Sequence, residues 1–224
     1  MAFKILYFNG EEISRYMMNQ PMAKDYEFKG IFCRRKDYQT QKYRYYIYTE
    51  DMETMLLAAE KNQDMHPSYL ISMNANQLIK MSKFYMGIFK LEKNKNYASY
   101  SWHPQVNDSK RVMLILTRHE SSSGGNKIFN DEILIPKLGS SPLLLDVGKS
   151  IESLIQSTNV LQLSGSSEIM AKPETNENAL IHSVKFNGEV CMTFRQTYED
   201  EFSISVLYPL SLYQAFSIFL SYID

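Results

Sequence analysis

The chain has 224 residues, 44% of them hydrophobic and 22% charged, a balance typical of a globular protein long enough to bury one substantial core. Its 24 Lys and Arg nearly cancel 25 Asp and Glu, a net charge of −1, which excludes a global field attracting nucleic acid or an anionic bilayer to the whole surface and confines any anion site to a local cluster. Two cysteines, Cys33 and Cys191, exclude a disulfide framework and a cysteine metal cluster, and fit core thiols in a reducing compartment.

The opening stretch MAFKILYFNGEEISRYM has an apolar run too short, and too soon followed by acids, for a signal peptide. The expectation is therefore a cytoplasmic protein. GEEISRYMMNQ (10–20) reads as a short helix within an N-terminal extension, residues 1–20, ahead of one large domain at 21–224. From there, short segments rich in Tyr, Phe, Ile, Val and Leu recur between turn-forming clusters, the signature of strands. They fall at 28–35, 43–49, 54–60, 68–74, 84–91, 97–103, 111–118, 132–138, 159–164, 180–186, 190–196 and 202–208. SSSGGN (121–126), GSSP (139–142), SGSSE (164–168) and FNGE (186–189) supply the breaks, the last an Asn-Gly pair suited to a tight hairpin. DVGKSIESLIQS (146–157) carries Ile151, Leu154 and Ile155 at helical spacing, and EIMAKPETNEN (168–178) reads as a solvated loop.

The last segment, YPLSLYQAFSIFLSYID (208–224), predicts a helix over about 210–222 that is apolar on every side. Counted generously from Val206, the apolar stretch is interrupted by Pro209, Ser211, Gln214 and Ser217 and falls short of the ~20 residues that span a bilayer. A helix apolar all round is buried all round. A strand-rich chain must leave sheet edges or close on itself, and a closed barrel with a lumen needs an apolar filling. The expected fold is mainly β: a closed antiparallel barrel of about twelve strands filled by the central C-terminal helix.

Specific residues resemble the tubby family. In YPLSLYQAFSIFLSYID, Tyr208, Pro209, Leu210, Gln214, Ala215, Phe216, Ile218, Leu220, Ser221 and Asp224 follow the family's closing pattern. FKGIFCRRKD with its Cys33-Arg34 pair, and the Leu56-Leu57-Ala58 run in YRYYIYTEDMETMLLAAEK, are similar to its opening strands. SYLISMNANQLIKMSKFYMGIFK is similar to its tyrosine-leucine-isoleucine-serine segment, with Tyr85 and Gly87 at the expected distance. The resemblance covers residues 20–224 and implies a twelve-stranded barrel threaded by its last helix.

Tubby-like domains bind phosphatidylinositol 4,5-bisphosphate, whose dense charge calls for converging cations, with arginine adding forked hydrogen bonds. Carried over residue by residue, the resemblance puts Ser68 at the family's asparagine, Ile88 and Lys90 at its lysine-x-arginine pair, and Arg111 at its last basic position, with Lys110 as the neighbour in a slipped register. One cation is thereby lost at Ile88, and alternation puts Ile88 and Lys90 on one face. Lys83, Lys93 and Lys95 lie nearby in sequence. The resemblance implies a phosphoinositide-binding adaptor, peripheral at the plasma membrane or cilium, with a protein cargo or a ciliary or cytoskeletal partner. The alternative is a structural or protein-interaction subunit whose lipid site has decayed.

Elsewhere the chemistry is sparse. SSSGGNK (121–127) lacks the spacing of a phosphate loop. His119-Glu120 has no nucleophile motif beside it, and His66, His103 and His182 lack ligand spacing, so they read as surface or half-buried histidines. No catalytic residue, metal or cofactor is expected, and the near-neutral charge argues against nucleic acid.

Overall fold

The structure is a computed structural model and describes residues 11–38, 40–62, 68–91, 96–101, 110–123, 126–137, 144–145, 160–171 and 178–223. Alternation of buried and exposed side chains organises most of them into strands. In β1 (Phe28–Lys36), Phe28 and Phe32 turn into the core while Lys29 points to solvent. The same period-two logic gives β2 (Tyr43–Thr49), β3 (Met55–Asn62), β4 (Ser68–Ser72), β5 (Tyr85–Leu91), β6 (Asn96–Ser101), β7 (Lys110–Ser123), β8 (Asn126–Pro136), β9 (Leu144–Leu145), β10 (Val160–Ala171), β11 (Asn178–Phe186), β12 (Glu189–Tyr198) and β13 (Glu201–Val206). Among the described residues two helices, α1 (Glu11–Asn19) and α2 (Leu212–Tyr222), bracket them.

Every strand pairing is antiparallel, in the order β6-β5-β4-β3-β2-β1-β13-β12-β11-β10-β8-β7, and a further β6–β7 ladder closes the ring. Twelve strands therefore form a closed barrel without free edges, and β9 adds a two-residue pairing beside the start of β7. Where β1 meets β2, Gly30 is required for close approach: a Cβ there would lie 2.4 Å from Tyr48 O and 2.8 Å from the Phe28 ring. The β11–β12 hairpin turns on Asn187 and Gly188, with φ of 52° and 85°. Both lie in the left-handed region that the Asn-Gly pair accepts.

Three expectations need correction, and SGSSE (164–168), expected as a break, lies within β10, where Ser164–Ser166 pair with both β8 and β11. Residues 168–178 were expected to form a solvated loop, yet Glu168–Ala171 belong to β10 and pair with β11 residues Asn178–Ile181. A ladder already in register satisfies backbone groups whatever the side chains, so it carries the polar sequence along. The expected strands at 111–118 and 132–138 likewise extend towards their hairpin, ending in the pair Ser123↔Asn126. The expected helix at 146–157 lies outside the described residues.

Residues Leu212–Ser221 of α2 are all buried. The helix begins with a capping box, in which Ser211 Oγ accepts from Gln214 N and Gln214 Oε1 accepts from Ser211 N, satisfying two of the helix's orphan donors. Phe219 stacks on Phe32 of β1 at 4.0 Å and meets Phe194 of β12 and Phe202 of β13 edge-on. On its other side, Tyr213 Oη donates to Tyr100 O of β6, Gln214 Nε2 donates to Met113 O of β7, and Ser217 Oγ lies 2.9 Å from Ser99 Oγ. β6 and β7 stand opposite β1, β13 and β12 in the ring, so α2 touches facing walls and its buried polar groups are all hydrogen-bonded.

α1 joins the same core through Met18. A second cluster, Ala98, Tyr100, Val112, Ile115 and Leu134, lies separately, with Ile88 and Val160 against it. No helix among the described residues is long and apolar enough to cross a membrane.

Candidate functional site

The sequence-expected site falls on β4, β5 and the start of β7. On β4, Tyr69 and Ile71 point into the core shared with α2, so by alternation Ser68 and Leu70 belong to the opposite side of the wall. The β4–β5 register then pairs Ser68 with Lys90 and Leu70 with Ile88. Ser68 and Lys90 are direct cross-strand neighbours, whose Cβ atoms sit about 4.5–5.5 Å apart in such a ladder. Ser68 is buried, 5% exposed, whereas Lys90 is half-buried.

Lys90 also meets β6. Its Nζ lies 5.6 Å from the centre of the Tyr100 ring, an ammonium over a π face that holds the charge at the wall while the apolar stem rests on the cluster beneath. Ile88 packs against that cluster, so the position expected to carry a second cation contributes hydrophobic contact instead.

Arg111 and Lys110 are positioned by backbone pairing. Arg111 pairs with Ser101 on β6 and Leu144 on β9, and Lys110 pairs with Leu145. Ser101 pairs in turn with Gly87, so Arg111 occupies the row of Gly87. Lys90 is three residues further along β5, roughly 10 Å at 3.3 Å per residue, and Arg111 is two strands away, roughly another 10 Å. The two backbones are thus about 14 Å apart, and the row of Arg111, Ser101 and Gly87 alternates out of phase with Ser68, Ile88 and Lys90. The side chains of Lys110 and Arg111 lie outside what the structure describes, as do Lys93 and Lys95.

This arrangement offers one hydroxyl and one cation side by side, and two further basic positions at the far end of the same wall. Among the described residues, no group of three or more His, Cys, Asp or Glu could hold a metal ion. His119 is exposed, and Cys33 and Cys191 are buried thiols. Burial pushes Cys33 up to about 11 and Cys191 up to about 12, away from nucleophilic reactivity.

Sequence reasoning missed a charged cluster at the C-terminal end of α2. Arg118 of β7 forms a fork with Asp131 of β8, Nε to Oδ1 and Nη2 to Oδ2 both at 3.1 Å. Its Nη1 donates to Ser221 O at 2.5 Å, placing a cation where the helix dipole is negative. Tyr222 Oη donates to Asp131 Oδ2. His182, expected at or near the surface, is fully buried beside this cluster, its ring 3.7 Å from that of Tyr222. Neither of its nitrogens has a hydrogen-bond partner. Burial, then the Arg118 cation, push its pKa down to about 3. Gly165 makes room for it, since a Cβ there would stand 3.3 Å from both His182 and Asp131 Cβ.

Also missed was the exposure of Ile79 and Met81 in the β4–β5 connection. Its sequence signal was the absence of any acid from Ser68 to Leu91. No protein-family model matches the chain, and no curated protein matches it.

Proposed function

We propose that this protein is a non-enzymatic, tubby-like module that binds a phosphoinositide headgroup of the phosphatidylinositol 4,5-bisphosphate kind, with α2 as the plug of its barrel. It then serves as an adaptor between a membrane face, at the plasma membrane or a cilium, and a protein cargo or cytoskeletal partner. The observation that carries this reading is the cross-strand pairing of Ser68 with Lys90. Residues 22 positions apart in sequence, matched separately to the family's headgroup ligands, become neighbours on the side of the wall away from α2. In this reading the ammonium of Lys90 attracts a phosphate, the Ser68 hydroxyl donates to it, and Arg111, or Lys110 beside it, supplies the second cation.

Ile88 favours a second reading, a docking block for another protein whose lipid site has decayed. Its packing against the Tyr100 cluster removes a cation from the middle of the row. Co-sedimentation with vesicles containing phosphatidylinositol 4,5-bisphosphate separates the two. Headgroup binding predicts salt-sensitive sedimentation that falls at least about tenfold in the variant Lys90→Ala/Arg111→Ala, as expected when two charge-assisted contacts are lost. Sedimentation no different from that with phosphatidylcholine alone, or unchanged by the double substitution, favours the docking block.

A further inference from the structure

Among the exposed apolar side chains of the described residues, two aliphatic ones stand close together in the connection between β4 and β5. Met81 is 93% exposed and Ile79 is 60% exposed, two large hydrophobic side chains within three residues, with exposed Lys80 between them and exposed Lys83 just beyond. Single exposed apolar residues are ordinary. Here, however, the backbone that presents them is firmly built. Ser82 N donates to Ile79 O at 3.0 Å, Ser82 Oγ donates to Gln77 Oε1 at 2.9 Å, and Phe84 N donates to Ser82 Oγ at 3.1 Å. Met73 N closes the base on Phe84 O at 3.0 Å. The turn turns Ser82 inward and holds Ile79 and Met81 out in water.

The charge around the turn is one-sided. From Ser68 to Leu91 the chain carries Lys80, Lys83 and Lys90 and no Asp or Glu, although the whole protein is balanced at −1. α1 reaches the same turn, where the Arg15 guanidinium donates to Lys83 O. α1 also carries Glu11 and Glu12, but the apolar tip itself is flanked in sequence by Lys80 and Lys83, and an apolar tip beside lysines is complementary to a surface that is negative outside and hydrocarbon within.

We infer that the β4–β5 turn is a membrane-insertion wedge: Ile79 and Met81 enter the interfacial region of an anionic bilayer while Lys80 and Lys83 contact its lipid phosphates. The wedge needs no phosphoinositide and shares with the proposed function only the premise that the protein meets a bilayer. The turn closes the end of the β4–β5 hairpin opposite to the Ser68–Lys90 pair, about 13 Å along the strand, so the two contacts are separable by mutation.

The test uses the full chain and vesicles of phosphatidylcholine with phosphatidylserine, free of phosphoinositide. The expected result is salt-sensitive co-sedimentation that falls about tenfold or more in Ile79→Ser/Met81→Ser, from loss of two apolar insertions. Val190→Ser, at an exposed apolar position of β12, should bind these vesicles as the parent does. In a second measurement, Met81→Trp in a Trp102→Phe background should be quenched by bromine-labelled acyl chains in phosphatidylserine vesicles. A tryptophan at Val190, exposed on β12, should not be. Unfolding temperatures matching the parent ensure that each variant is folded. Unchanged sedimentation of Ile79→Ser/Met81→Ser, or an unquenched tryptophan at 81, overturns the wedge. So does a parent that fails to bind these vesicles, and if the serine variant then also changes oligomeric state, the patch is a protein contact.

Discussion

Replacing Arg118 by methionine isolates the buried ion pair at the end of α2. The side chains of Arg118 and Asp131 are only 10% and 0% exposed, and the pair is forked, with both bonds at 3.1 Å. The same guanidinium donates to Ser221 O through Nη1 and to Ser221 Oγ through Nη2 at 3.0 Å, and lies 4.1 Å from the Tyr222 ring centre. Arg118→Met therefore leaves a buried carboxylate with only the Tyr222 hydroxyl and an uncapped helix carbonyl. Breaking such a pair costs about 3–5 kcal/mol, whereas replacing both partners by apolar groups is often near neutral. For a chain of this size each kcal/mol corresponds to about 2–4 °C in Tm, so the single variant should melt roughly 6–20 °C below the parent. Arg118→Met/Asp131→Leu should recover most of that loss. Thermal and urea unfolding followed by circular dichroism on the parent, both single variants and the double variant would measure the coupling directly. A loss below about 1 kcal/mol for Arg118→Met, the scale of an exposed pair, or a double variant as unstable as the sum of the singles, would refute the argument.

His182 gives a pH signature. The unfolded imidazole takes up a proton below about 6.5 and the folded one only near 3, so between these values the unfolded state binds more protons and stability falls as pH falls. From pH 7 to pH 5 the loss should be about 2 kcal/mol, at about 1.4 kcal/mol per unit below 6.5. His182→Phe should remove that component of the slope, and identical slopes for parent and variant would exclude it. At Gly30, the 2.4 Å approach to Tyr48 O forces backbone to move for any side chain. Gly30→Val should lower Tm by several degrees, at about 1–3 kcal/mol for an overpacked site, as read by differential scanning calorimetry.

Much of the architecture was legible because it rests on local pattern. α2 declared itself through residues apolar at every angle around the helix axis, and Asn187-Gly188 through its turn chemistry. Cys33 and Cys191 were readable as core thiols from their type and isolation. The register of Ser68 with Lys90 was half-legible: alternation put Ile88 and Lys90 on one face, but which residue of β4 stood opposite depended on a ladder that the sequence does not display. Arg118 and His182 were opaque for a similar reason. Arg118 reaches Asp131 across a hairpin and Ser221 over a separation of 103 residues, and nothing adjacent to either marks the meeting. His182 was expected at the surface or half-buried because it lacks ligand spacing. Its burial follows from the missing side chain at Gly165, a vacancy that only three-dimensional pairing reveals. In 168–178 polarity was weighed above ladder continuity, and the ladder prevailed as far as Ala171.

The position of α2 in the chain bears on how the protein is made. A ribosome releases Leu212 only after every strand of the ring has been synthesised, so until then Phe32, Phe194 and Phe202 have no Phe219 to pack against. During translation the emerging strands present apolar faces and unpaired edges, the state most exposed to aggregation and most dependent on chaperones. The same order makes truncation all-or-none. A premature stop anywhere before residue 212 removes Leu212–Ser221, all of them buried, yielding a chain for proteolysis in place of a shorter working domain.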